Sequence, residues 1–375
     1  MKPKVFPLWL LLLCFALPSG AGAADGTETP VGKIELARGA VTILRADGRE
    51  ARGEQGLGLF PGDQISTGKA AEVRFNLPPG RQFRLAAEAQ VSIDELSSSE
   101  GDEDPPVMRL VMGYLWSKIE KITRKTDGFE IYTPTAVLGV RGTEFETVVS
   151  LDAASVVAVD EGKVSVEADE TAVLLEPGKM TEIGFEGKPS HPSPTVSKEV
   201  RDWQAWREKR VQGFTRKLPR MAPRLRHRFE QGAVRAGKFA DTVRERGDGI
   251  RETMQKVREA KQQRDKPRIR ESVERLREQT EEFKRMAARF RQALNRFRVM
   301  GRLSIRWEQF VKENSGRFPE RQSAFLQAQF AAIAEKREEV KEAHVKAISA
   351  IREVFRDRKA FREEMITQKG AAESS

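Results

Sequence analysis

The chain has 375 residues, 39% hydrophobic and 33% charged, which leaves room for two or more domains and excludes a protein that crosses a membrane many times. Its formal net charge of +10 is unevenly placed: residues 24–190 hold 18 Lys and Arg against 29 Asp and Glu (−11), whereas residues 191–375 hold 46 against 27 (+19). Such an asymmetry predicts two regions with different partners, or two regions that are partners of each other.

The first 23 residues read as a cleavable export signal. Lys2 and Lys4 form the positive end, the Leu10–Leu13 run forms the apolar centre, and Ala21-Gly22-Ala23 provides a small-x-small cleavage site. The apolar stretch is too short, and too broken by Pro7, to span a bilayer. The single cysteine, Cys14, sits inside this segment, so the mature chain is expected to form no disulfide and to offer no thiolate for catalysis or metal binding. Leu13 and Phe15 flank Cys14 in a way that suits acylation poorly. The expected location is the periplasm or the extracellular space.

Residues 24–187 are predicted to be a β module. Val73, Phe75 and Leu77 alternate with Glu72, Arg74 and Asn76, and Phe83 and Leu85 resume the pattern after Pro79-Gly80. Similar runs occur at Val41–Leu44, Val91–Ile93, Met108–Met112, Phe129–Tyr132, Phe145–Val149, Val156–Val159, Val164–Val166, Val173–Leu175 and Thr181–Phe185. Turn signals such as Asp47-Gly48, Pro61-Gly62-Asp63, Glu161-Gly162 and Pro177-Gly178 separate most of them. About ten short strands with Gly and Pro corners predict an all-β sandwich, barrel or solenoid.

Pro61-Gly62-Asp63-Gln64-Ile65-Ser66-Thr67, the alternating strand after it and Pro79-Gly80-Arg81 resemble the opening motif of the FecR-type domain family. The run Tyr132 to Phe145, containing Leu138-Gly139-Val140-Arg141-Gly142-Thr143-Glu144-Phe145, resembles the second motif, and Glu161-Gly162-Lys163-Val164 the strand pair beyond it. The resemblance spans about residues 31–187 and implies a β-rich, solenoid- or sandwich-like module of the periplasm or cell envelope. The best-known members are regulators that carry a cytoplasmic helical domain and a transmembrane helix ahead of the module. Here only a cleavable leader is expected, so location and fold carry over and that signalling role does not.

The motif residues have physical roles of their own. Gly62 and Gly80 follow prolines, where a type II turn requires positive φ. Asp63 and Thr67 can accept backbone N–H groups across turns. Gly139 and Gly142 mark a bend or a close backbone approach. Arg141 is either an anchor for a carboxylate or phosphate, or a structural partner of Glu144 or another acid. Thr143, Glu144, Phe145 and Gly162 complete the set.

Pro189, Pro192 and Pro194 predict an extended linker over residues 188–196. From 197 to 368 the chain is predicted to be an Arg- and Glu-rich helical, coiled-coil or bundle region, ending in an unstructured tail over 369–375. Pro219, Pro223, Gly232, Gly237, Gly247 and Gly249 predict short or bent helices over Val200–Lys261. Asp265 and Pro267 then start a helix whose heptad seam runs Ile269, Val273, Leu276, Thr280, Phe283, Ala287, Phe290, Leu294, Phe297. Asn314-Ser315-Gly316 stops it, and Pro319 precedes a second seam through Leu326, Phe330, Ile333, Arg337, Val340, His344, Ala347, Ile351, Val354, Arg358, Phe361 and Met365. The seam aromatics are expected in a core, and Trp203 and Trp206 are expected to dock the first helix onto a neighbouring one.

No enzymatic template is satisfied. His191, His227 and His344 have no metal-ligand spacing. Gly62 to Ala70 has the wrong spacing for a phosphate loop, and Ala70 stands where that loop needs a hydroxyl. The acidic run Glu100–Asp104 lacks the spacing of a calcium loop. Neither a metal nor a cofactor is expected. Arg216, Arg220, Arg224, Arg226 and Arg228 form a basic cluster. The export signal argues against nucleic acid as its partner and for an anionic envelope polymer or lipid phosphate. The expected function is therefore a non-enzymatic envelope protein: the β module binds a partner or ligand, and the helices act as a spacer, an oligomerisation arm or an anionic-envelope contact. The alternative is an exported enzyme acting on cell-wall polysaccharide through unidentified acids in the β module.

Overall fold

The computed structural model describes residues 29–93, 106–121, 128–169 and 171–373. The expected leader with Cys14 and the acidic run Glu100–Asp104 lie outside the described residues. A β-rich N-terminal region is followed by long helices, as the two periodicities predict.

The strands are β1 (Gly32–Arg38), β2 (Val41–Leu44), β3 (Glu50–Arg52), β4 (Gly58–Leu59), β5 (Gln64–Thr67), β6 (Glu72–Leu77), β7 (Arg81–Leu85) and β8 (Gln90–Ile93). They continue with β9 (Val107–Ile119), β10 (Phe129–Tyr132), β11 (Val137–Val140), β12 (Thr143–Val149), β13 (Ser155–Glu161), β14 (Val164–Ala168), β15 (Thr171–Leu175), β16 (Lys179–Ile183) and β17 (Ser193–Pro194). One sheet runs β4-β1-β6-β7-β9-β12-β13-β16-β17. The other runs β3-β2-β5-β8-β9-β10-β11-β14-β15. All pairings are antiparallel except that of β9 with β10.

The long strand β9 is common to both sheets. Its first half pairs with β8 and β10, and its second half with β7 and β12. Gly113 lies at the crossover with φ +105°, and a Cβ there would sit 2.0 Å from that of Ala89, so only glycine lets the strand turn from one sheet into the other. One apolar core lies between the sheets, formed by Ile34, Phe75, Phe83 and Phe145 from the first and by Ile43, Val91, Ile131 and Leu138 from the second. The alternating pattern places these inward because successive strand side chains face opposite ways.

The proline-rich segment stays close to the module: Pro189 bridges to Ile183, Ser190 Oγ accepts the Glu182 N–H, and β17 pairs with β16. It serves as an added edge strand, a position where proline costs little.

The helices are α1 (Trp203–Gln212), α2 (Phe214–Gln262), α3 (Lys266–Glu313) and α4 (Glu320–Glu373). The expectation of short or bent helices over Val200–Lys261 holds for α1, which is 10 residues long, and fails for α2, which runs unbroken for 49 residues with Pro219 and Pro223 inside it. Each interior proline costs about 3 kcal/mol. Burial of Phe214, Leu218, Leu225 and Phe229 beside them contributes about 1.5–3 kcal/mol apiece, enough to offset that cost. Gly232 and Gly247 are sites of close packing: a Cβ at the first would lie 1.8 Å from the Phe297 ring, and at the second 2.6 Å from Val354.

Asp265 caps α3 by accepting the Arg268 N–H at 3.1 Å, with Pro267 in the first turn. The α2–α3 hairpin is antiparallel, and α4 runs parallel to α2, as the Arg251–Asp357 and Arg258–Glu364 ion pairs show. Most seam positions are buried, including Leu276, Phe283, Phe290, Leu326, Phe330 and Val340. Val273 is an exception at 47% exposed, lying near the α3 start where little packs against it. The last helix continues to Glu373, into the stretch expected to be an unstructured tail. No helix among the described residues is long and apolar enough to cross a membrane.

Candidate functional site

The acids of the β module and the cations of the helical region meet at a shared seam. Along β12, Phe145 and Thr147 face the core, so Glu144 and Glu146 lie together on the opposite face. Arg201, just ahead of α1, donates from Nη1 to Glu146 Oε2 at 2.9 Å and from Nη2 to Asp160 Oδ1 at 2.7 Å. Both Arg201 and Glu146 side chains are only 4% exposed. Trp203 Nε1 donates to the same Glu146 oxygen at 2.8 Å, and Tyr114 Oη donates to its other oxygen at 2.7 Å. The expectation that Trp203 docks α1 onto another helix therefore fails: its indole N–H needed an acceptor, and the nearest is a sheet carboxylate.

Two further clusters extend the contact. Glu144 accepts Lys198 Nζ at 2.8 Å, Lys118 Nζ at 3.2 Å and Trp116 Nε1 at 3.2 Å. Burial alone pushes its carboxyl up, but the two ammonium groups more than offset this and hold it below the ordinary range. Asp152, 3% exposed, accepts Ser150 Oγ, Arg210 Nε and Lys217 Nζ, the last two at 3.1 Å. Burial again pushes up, and these donors again outweigh it and lower the carboxyl. An acid held ionised in this way is poorly suited to donate a proton near neutral pH.

Apolar contact seals the same seam. Val111, Ala153 and Phe185 of the module share a cluster with Phe214, Leu218, Trp307 and Phe330 of the helices. Trp307 is fully buried, stands 5.5 Å from the Phe185 ring and donates Nε1–H to Leu151 O at 2.6 Å. Val299 packs with Val107, Tyr132 and Val137, and Asn295 accepts a buried hydrogen bond from Arg109 at 2.9 Å.

The basic cluster divides between the seam and solvent. Arg224 pairs with Glu186, while Arg228 donates to Phe185 O at 2.9 Å with its guanidinium 4.4 Å from that ring. Arg226 pairs with Glu230 within its own helix at 3.1 Å. Arg216 and Arg220 are exposed.

The motif residues sit mainly in turns and core of the module. Asp63, 1% exposed, accepts the Phe60 N–H at 2.8 Å and Arg45 Nη1 at 2.5 Å, yet burial outweighs these donors and raises its carboxyl. Thr67 Oγ1 accepts the Ala89 N–H at 3.0 Å and donates to Ala86 O at 2.6 Å. Gly62, Gly80, Gly142 and Gly162 have positive φ. The last two touch, since a Cβ on Gly162 would lie 2.2 Å from Gly142 O. Gly139 lies within β11, Arg141 is exposed at the following turn, and Thr143 and Phe145 are buried. Of this motif set, Glu144 is the member that the structure brings to the seam.

Glu146, Asp152, Asp160, Lys198, Arg201 and Arg210 were not singled out from the sequence. The available signal was two acids at alternate positions of β12, followed after the proline segment by two cations three residues apart.

Residues 63–165 match the family model described as FecR protein, so the chain carries a FecR domain reaching from β5 into β14. No curated protein matches the chain. Two solved structures of a protein from Parabacteroides distasonis, described as a candidate anti-sigma factor, are 19% and 20% identical over 38% and 36% of this chain. The alignments cover 63% and 62% of those chains, less than two thirds of their length, at a TM-score of 0.32 in both cases, too low to support an argument.

Proposed function

From the FecR domain at residues 63–165 as premise, we propose that this is a non-enzymatic protein of the cell envelope whose β module anchors its own basic helical arm and whose distal arm meets the partner. The observation that carries the reading is the Arg201 clasp. Glu146 and Asp160 are already neutralised within the chain, so a basic partner would have to displace a tethered competitor before using that surface. The three long helices continue well past the seam: α4 is 54 residues long, about 80 Å at 1.5 Å per residue, and Val354, Phe361 and Met365 in its last half cluster with residues of α2 and α3. An anionic envelope polymer or an envelope protein is the partner class that the free basic surface supports. Site-specific photocrosslinking in intact cells tests this, with the probe at Arg277 on distal α3 and, separately, at Glu54 on the module. An envelope adduct from Arg277 is expected, and adducts from Glu54 alone would overturn the reading.

A further inference from the structure

On one face of the helical region, residues of α2, α3 and α4 line a groove of 430 Å³, within the roughly 300–1,000 Å³ typical of small-molecule sites. Its walls are apolar. Phe239 and Phe290 stack face to face at 4.2 Å with an interplanar angle of 3°, Phe297 and Met286 continue the surface, and the buried His344 of α4 closes the base edge-on to Phe290. Ala236 and Ala293 add little bulk to the lining, and Gly232 adds none, with the Phe297 ring lying directly against it. Phe239, Met286 and Phe297 are only half-buried, so the groove leaves apolar surface in water.

The rim is cationic. Arg235, Arg285 and Arg289 line the groove and are exposed. The one acid among the lining residues, Glu282, is already paired with Arg246 at 3.1 Å. An elongated apolar floor beside unneutralised guanidinium groups complements an amphiphile with a single chain and an anionic head. A second copy of the protein complements it badly, because a two-fold contact through this face would set the three arginines against their own equivalents. A polyanion without a chain would leave the aromatic wall exposed.

We propose that the α2–α3 groove binds a long-chain fatty acid anion, with its chain along Phe239, Phe290 and Phe297 and its carboxylate between Arg285 and Arg289. This site goes beyond the envelope reading and does not depend on it. Titrating the full chain with palmitate, hexadecanol and inorganic phosphate by calorimetry provides the test. Saturable palmitate binding is expected, weakened about tenfold or more for hexadecanol and for the double variant R285E/R289E, which lack the charge-assisted contacts. Phosphate should not compete at equimolar concentration. Ala293→Trp, at an exposed position, should abolish binding by filling the groove while helicity by circular dichroism and Tm stay unchanged. Absence of saturable palmitate binding, equal binding of hexadecanol, or binding indifferent to Ala293→Trp would overturn the proposal, as would a dimer in light scattering that Ala293→Trp dissociates.

Discussion

Arg201 and Glu146 are the pair on which the seam should be most sensitive to change. Both are almost wholly removed from water, and Glu146 carries three donors in all. Removing Arg201 strands a buried carboxylate, so Arg201→Ala is expected to cost about 3–5 kcal/mol in urea unfolding. Lys163→Ala, which breaks an ion pair more than half exposed on both sides, should leave the urea midpoint essentially unchanged. His344 adds a pH dependence. Burial between Phe290 and Phe297, reinforced by Arg298 on α3, lowers its pKa from 6.5 to about 4. The folded state therefore prefers the neutral ring. That contribution is complete above pH 6.5 and is lost as pH falls toward 4, amounting to about 3 kcal/mol at most. Asp152 and Glu144, also lowered, keep their contribution until the pH drops below their ordinary values of 3.8 and 4.5, and lose it as the pH passes through the lowered folded values. Two separate acid transitions are expected in a pH series of Tm, the first abolished by His344→Leu. Part of this was legible beforehand. The Asp63 turn follows from residue chemistry within a few positions of chain, because its carboxylate accepts the Phe60 N–H, whereas Thr67 finds its partners Ala86 and Ala89 about twenty residues on. Glu146 did not stand out, because an acid in an apolar strand looks solvated until the arginine that covers it is known.

Glycine and proline mark breaks only where nothing else in an element decides, and α2 is decided by packing. Its glycines give a direct comparison on one helix. Gly232→Ala places a methyl into the Phe297 ring and should destabilise by about 1–3 kcal/mol. Gly237→Ala meets nothing within 4 Å and should stabilise by about 0.5–1 kcal/mol through helix propensity. Thermal unfolding of the two variants checks both signs, and a loss at both positions would show that Gly237 is needed for another reason. The heptad seams of α3 and α4 were readable because 3,4-spaced apolar residues need no knowledge of the partner. Helix continuity through Pro219 and Pro223 was not, since it depends on a cluster that includes Val111 and Phe185 from the other half of the chain.

Charge asymmetry between the halves was visible in the composition, but composition cannot tell mutual partners from independent ones. The structure makes the halves partners over acids, cations and apolar surface together. Because Arg201, Glu146 and Asp152 are shielded from solvent and Trp307, Phe214 and Phe185 lie dry beside them, salt should screen the contact only weakly. Small-angle scattering from 0.05 to about 1 M salt is expected to give a constant radius of gyration; expansion with salt would mean that surface charge alone holds the seam. A fragment ending at Lys188 leaves Val111, Ala153 and Phe185 uncovered, so it should bind more of a hydrophobic dye than the intact chain does.

The shared strand β9 also imposes an order of events on a chain made from its N-terminus. In each sheet four strands come before β9 in sequence and four after it, and β9 lies between the two sets. Until residue 119 leaves the ribosome, β7 and β8 both present open edges, and the first eight strands lack the strand that continues from one layer into the other. A nascent chain stalled before Val107 should therefore be readily cut by protease, whereas one stalled after β13 should have gained protection throughout the first half. The apolar run Val107–Ile119 is thus the last piece the early strands wait for and the first template the later strands meet.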